Sequence, residues 1–272
     1  MNQLSDRSPL RGGRRRALIG APALAAAVAL AAAGCGSSND GAGSTATTSA
    51  GAKKSVTVFA AASLTAAFQE IAEQTPDLDE KFTFDGSPTL VEQITAKPDV
   101  ADVLATADQP NMKKATDQGL VGADQKIFAT NTAVLIVPKG NPGQVTGLDA
   151  SLDGKKLVIC AATVPCGAAA QAIAQNANFT LKPVSEEQKV TDVRGKVTSG
   201  EADAGIVFST DAKSSGDKVE TLQLPGASDV VSKYPIALTK EAPDSAAGQA
   251  FIDAVTGEKG REVLTKYGFT LP

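Results

Sequence analysis

From Val56 onward, short β-branched runs alternate with segments of helical periodicity, and this alternation limits the fold more than any other feature of the chain. Val56 to Phe59 is the first such run; Leu64, Ala67, Phe68 and Ile71 then recur at helical spacing. A strand is therefore expected to pass into a helix through a small turn of three alanines and Ser63. Lys81 to Phe84 reads as a second strand, followed by Asp85-Gly86-Ser87-Pro88 and a helix marked by Leu90, Val91 and Ile94. Further strands are expected at 100–105, 132–137, 157–160, 204–208 and 236–238. Helices are expected after Ala107-Asp108-Gln109-Pro110 and at 168–174, 192–198, 246–254 and 260–266. The pattern predicts α/β units around mostly parallel sheets, and the segment is long enough for two lobes. In such sheets ligands lie beyond the carboxyl ends of strands, where helices begin.

The beginning of the chain reads differently. Arg7, Arg11, Arg14, Arg15 and Arg16 precede an apolar run from Ala17 to Ala33 that ends in Ala-Ala-Gly-Cys at residues 32–35. This order predicts an export signal over 1–34, with a core too short and alanine-rich for a membrane span. The small residues before Cys35 resemble a lipobox, so Cys35 is expected to become a lipidated N-terminus that anchors the protein on the extracytoplasmic face of the cell membrane. The arginines leave the Sec and twin-arginine routes both open. Residues 36–54, rich in Gly, Ser, Thr and Ala, are expected to form a flexible tether from that cysteine.

Composition excludes several classes of function. The 272-residue chain has 26 basic and 30 acidic residues; the first 34 hold five arginines and one aspartate, leaving 21 and 29, a net charge of −8. An acidic protein of this kind is a poor partner for nucleic acid. Histidine is absent, which removes histidine bases, Ser–His relays and histidine metal sites. The chain is accordingly expected not to be an enzyme and to need no cofactor. Cys160 and Cys166 remain after Cys35, and export places them in an oxidising compartment. They are expected to be disulfide-bonded across a short turn, the alternative being two free thiols.

Four helix starts carry the functional signal. Ser63 is the expected N-cap of the first helix, and Ser87 repeats the arrangement with Pro88 at the first helical position. Neither first turn carries an acid. The third start is Pro165-Cys166-Gly167, where small residues leave the backbone open; the fourth is Thr191-Asp192-Val193-Arg194. Free amides at such ends are donors without formal charge, and several converging would form a cage for an anion. Asp85 either faces solvent, caps its turn or points inward, where it would favour an oxyanion that still carries a proton. Arg194 reads as a surface or inter-element ion pair.

The segments VFAAASLTAAFQEIA, FDGSPTLVEQI, ADVLATADQ, TDVRGKV, AGIVFSTDA and KYGFTLP occur in this order and together resemble the motifs of periplasmic molybdate-binding proteins. The resemblance runs from about Val56 to Pro272. It implies a type II periplasmic-binding-protein fold of two α/β lobes, with two chain crossovers and a ligand cleft between them. Residues 55–131 with 234–272 would form one lobe and 132–233 the other. It further implies a monomeric receptor for molybdate or tungstate that serves an ABC permease and its ATPase. Sulfate or phosphate is the alternative ligand. Ser63 and Ser87 would supply hydroxyl and amide donors, and Cys166 and Val193 amide donors alone. Phe208 departs from the pattern, because the family commonly has a tyrosine in that strand.

Overall fold

The structure is a computed structural model that describes residues 53–272. The expected export signal, Cys35 and nearly all of the tether lie outside the described residues. The first part of the described chain forms β1 (Lys54–Ala61), α1 (Thr65–Ala72), β2 (Leu78–Asp85), α2 (Ser87–Ala96), β3 (Val103–Ala105), α3 (Gln109–Asp117) and β4 (Lys126–Asn131). Next come β5 (Ala133–Pro138), β6 (Leu157–Cys160), α4 (Pro165–Asn176), β7 (Ser185–Glu187), α5 (Val190–Thr198), β8 (Ala204–Phe208), α6 (Ser209–Ser214) and β9 (Val219–Leu222). The chain ends with β10 (Ser232–Leu238), α7 (Ser245–Thr256) and α8 (Glu258–Lys266).

The strands make two five-stranded sheets of matching design, in the orders β2-β1-β3-β10-β4 and β7-β6-β8-β5-β9. Each has a parallel triplet, around β1 and around β6. One strand in each runs backwards: β10 is antiparallel to β3 and β4, and β5 to β8 and β9. Each reversed strand is the first that the chain lays down after changing sheets. Entering from the junction, it must run away from it, against strands whose carboxyl ends point towards it. Only Thr132 separates β4 from β5, so the outward crossing is a single residue; the return spans 223–231. The expected sheets were mostly parallel, and these two reversals are the correction. Strands β4, β7 and β9 and helix α6 escaped the sequence reading because they are short or polar, as in the Ser-Glu-Glu of β7.

Nine phenylalanines and no tryptophan make the aromatic core. Phe68 of α1 meets Phe128 of β4 at 5.9 Å and the edge of Phe251 of α7 at 5.4 Å, which clamps helices from both ends of the chain onto one sheet. In the second sheet α5 lies so close to β8 that a Cβ on Gly205 would come within 2.9 Å of Val193 and 2.8 Å of Val197. Glycine at 205 is what allows that approach, and it fixes where α5 begins relative to the sheet. Among the described residues no helix is long and apolar enough to cross a membrane.

Candidate functional site

The helix starts meet where the carboxyl ends of β1, β2, β6 and β8 come together. Ala61, Ala62, Ser63, Asp85, Gly86, Ser87, Ala107, Val164, Pro165, Cys166, Val190 and Phe208 line one small cavity there. Its centre has about 10 Å³ open to a water-sized sphere, room for a compact ion rather than an organic molecule. No basic side chain lines it. The two sides touch at Gly86, where an added Cβ would stand 2.1 Å from the carbonyl oxygen of Gln188. The arrangement is a closed one.

The starts at Ser63, Ser87 and α5 differ from their sequence expectation by a residue or two, and the start at Pro165 matches it. Ser63 is not an N-cap: a 3₁₀ turn, Ala62–Leu64, precedes α1, its N-cap is Ala61, and no acid lies in its first turn. The Ser63 amide is the second of that turn and has no acceptor within it. Ser87 is likewise the first helical residue, with Gly86 as N-cap and Pro88 in second place. Its hydroxyl oxygen accepts the Ala107 amide at 3.0 Å, which leaves the hydroxyl proton free for the cavity. In α4, Pro165 has no N–H and the Gly167 amide bonds to Val164 at 2.9 Å. Cys166 is thus the residue of that turn with a free amide. Its side chain is bonded in a disulfide with Cys160, S–S 2.04 Å, and both cysteines are buried.

Val193 lies with its side chain behind the cavity lining. Helix α5 starts at Val190, not at 192, so Val193 is its fourth residue, fully buried with one methyl against Gly205 of β8. Val190, three residues earlier, lines the cavity as the first helical residue. The Lys189 N-cap and the Asp192 amide bonded back to Lys189 at 3.2 Å mark that start. Asp85 lines the cavity and also caps its own turn, accepting the Gly86 amide at 2.8 Å. Phe208, buried, forms an apolar wall.

Behind the wall lie two groups that the sequence reading did not single out. Tyr234, fully buried, places its hydroxyl 3.0 Å from the Ser63 hydroxyl. Asp211 of α6 is also buried, with Oδ1 4.0 Å from the Arg194 guanidinium and Oδ2 lacking a hydrogen-bond partner. Arg194 is therefore an inter-element ion pair. Among the described residues no group of three acidic, cysteine or histidine side chains could hold a metal ion. What the cavity offers is neutral: hydroxyls and free amides at the positive ends of helices, each end worth roughly half a unit charge.

Two sheets joined by two crossings, with helix starts facing one cleft, define a two-lobed solute-binding protein. The chain belongs to the bacterial extracellular solute-binding protein family, which matches residues 56–270. It is 40% identical over 224 residues to the molybdate-binding protein ModA of Mycobacterium tuberculosis H37Rv, covering 80% of this chain and 85% of that protein. It is 33% identical over 232 residues to ModA of Escherichia coli K12, covering 79% and 89%. Among solved structures, the periplasmic molybdate-binding protein of Azotobacter vinelandii shares the fold at a TM-score of 0.71 and 19% identity, covering 80% of this chain and 99% of that one.

Burial pushes the Asp211 carboxyl up from 3.8 to about 7, against the opposing pull of Arg194. Between those two values the folded protein holds a proton that the unfolded chain has released, so stability falls as pH rises through this window and levels off above it. Asp211→Asn removes this dependence. Denaturant midpoints measured from about pH 4 to pH 8 are expected to show a flatter profile for the variant than for the wild type.

Proposed function

We propose that this protein is the substrate-binding component of an ABC importer, capturing molybdate or tungstate in the cleft and presenting it to a membrane permease and its ATPase. The carrying observation is the meeting of four helix starts on one ion-sized cavity without a basic side chain in its lining. A tetrahedral dianion that is fully deprotonated at neutral pH needs donors only. Converging amides and hydroxyls supply them without the desolvation cost of a buried cation. The names of the relatives, molybdate-binding proteins at 40% and 33% identity, support the same ligand. The protein binds and releases; it is not an enzyme.

In this reading Ser63 and Ser87 donate hydroxyl and amide hydrogens, Cys166 and the α5 start from Val190 to Val193 donate amides, and Phe208 closes the apolar side. The lobes that close are 55–131 with 234–272 and 132–233, a division supported by which sheet each strand joins. Hinge rotation at the crossings would open the cleft. Lipidation at Cys35 would keep a monomeric receptor beside its permease, and a lipoprotein relative from Bacillus subtilis, 27% identical, supports that anchor.

Asp85 at the cavity wall favours a second reading, a receptor for an oxyanion that keeps a proton, such as phosphate, which could donate to the carboxylate. A dianion without a proton is repelled by it instead. Titration calorimetry and thermal unfolding with molybdate, tungstate, sulfate and phosphate separate the two. Ligand at 100 times its Kd raises stability by about 2.7 kcal/mol. Molybdate or tungstate is expected to do so; a shift with phosphate alone overturns the first reading.

Two substitutions sharpen the assignment. Asp85→Asn preserves an acceptor for the Gly86 amide and removes the charge. It is expected to tighten molybdate binding by about tenfold, which needs only about 1.4 kcal/mol of relieved repulsion. For a phosphate receptor the same change weakens binding. Phe208→Tyr is expected to leave molybdate affinity equal or tighter, by up to about 1.5–3 kcal/mol for one added bond to a charged ligand. A large loss in calorimetry would show that this side chain does not face the ion.

A further inference from the structure

Tyr234 stands directly behind Phe208, ring centroids 5.9 Å apart, and its side chain is fully buried outside the cavity lining. Its hydroxyl has two partners: Ser63 Oγ at 3.0 Å and Asn131 Nδ2 at 3.3 Å. Asn131 is itself buried, at the last position of β4. Its Oδ1 accepts the Thr132 backbone amide at 3.0 Å and the Ser209 hydroxyl at 2.7 Å, and its Nδ2 donates to Thr210 Oγ1 at 2.8 Å.

These bonds have a direction. A backbone N–H can only donate, so the atom facing Thr132 must be the asparagine oxygen. The NH₂ group then faces Tyr234 and donates to its oxygen. The single tyrosine proton is left for Ser63, whose oxygen accepts it. The Ser63 proton, in turn, has no protein acceptor to compete for it and faces the cavity. Burial raises the Tyr234 pKa well above its ordinary value, so the phenol keeps the proton it passes along this chain. Ser87 reaches the same state by a shorter route, since the Ala107 amide occupies its oxygen directly.

We propose that Tyr234, held by Asn131, is a positioning residue that orients the Ser63 hydroxyl as a hydrogen-bond donor to the bound oxyanion. Tyr234 touches no ligand; it acts through Ser63. The relay begins at Thr132, the residue between the two sheets, so the donor set of one lobe is ordered from the junction with the other.

This inference rests on the oxyanion-receptor reading, and a thermodynamic cycle tests the two separately. Full-length protein freed of bound anion is titrated with molybdate as wild type, Ser63→Ala, Tyr234→Phe and the double variant. Wild-type binding tests the receptor reading alone, with tungstate and sulfate used in turn if molybdate gives no heat. Tyr234→Phe is expected to weaken binding by about tenfold, the size of one hydrogen bond to a charged group. In the Ser63→Ala background it is expected to cause no further loss, because the residue through which it acts is gone. A Tyr234→Phe loss of equal size in both backgrounds shows a merely structural role and overturns the proposal, as does no loss in either. Should Tyr234→Phe be insoluble, Asn131→Ser withdraws the amide that donates to Tyr234, which frees the phenol to reverse its bond to Ser63, and is judged by the same non-additivity. Absence of binding by the wild type with all three anions removes the receptor reading and the proposal together.

Discussion

A buried anion without a countercharge can be held only if enough dipoles already point at it before it arrives, and this constraint organises the molecule. Free amides exist at helix starts, so the starts must be brought together, and rigidly. Two sheets of the same design aim the carboxyl ends of their parallel strands at one point, and helices following β1, β2, β6 and β7 begin there. Glycines at 86 and 167 let backbone approach backbone, and Gly205 admits the valines of α5 against β8. At Gly167 an added Cβ would stand 2.1 Å from the Ala161 carbonyl, so α4 starts directly on the end of β6. The disulfide then pins the same turn through the Cys166 side chain and leaves its amide unengaged by that bond.

Much of this was legible beforehand. The strands 157–160 and 204–208, the helix-start residues Ser63, Ser87 and Cys166, and the cysteine pair all follow from local rules of periodicity, capping and compartment. The structure changes the details of those starts by one or two positions, as expected where caps compete. Asn-less turns with Gly86 or Ala61 in the cap position leave the serine inside the helix, where its hydroxyl can turn outward. What local rules do not contain is convergence. That Val190 lines the cavity while the Val193 side chain packs on Gly205 is settled by the approach of α5 to β8, not by any local pattern. Tyr234 was invisible for a related reason: it is 171 residues from Ser63 in sequence and its role exists only through contact.

The electrostatics run against the charge of the whole chain. Two carboxylates stand at the cleft of this acidic protein: Asp85 at the wall, accepting the Gly86 amide, and Asp211 behind it, buried beside Arg194. Asp108, the N-cap of α3, is also displaced upward by burial. None lies in the first turn of α1, α2 or α4, where it would occupy the positive end that the ligand needs. Local dipoles, not net charge, therefore decide what enters.

The walls of the cavity are mostly backbone, alanine, glycine, proline and serine. A pocket lined by long side chains can change its preferred guest through one substitution, because trimming or extending a chain moves the wall. Here the radius is set by how closely helices stand, and helices move only when the sheets beneath them do. Such a site is hard to reshape by gradual mutation. It should resist drift towards smaller or larger guests more strongly than a side-chain pocket of equal volume.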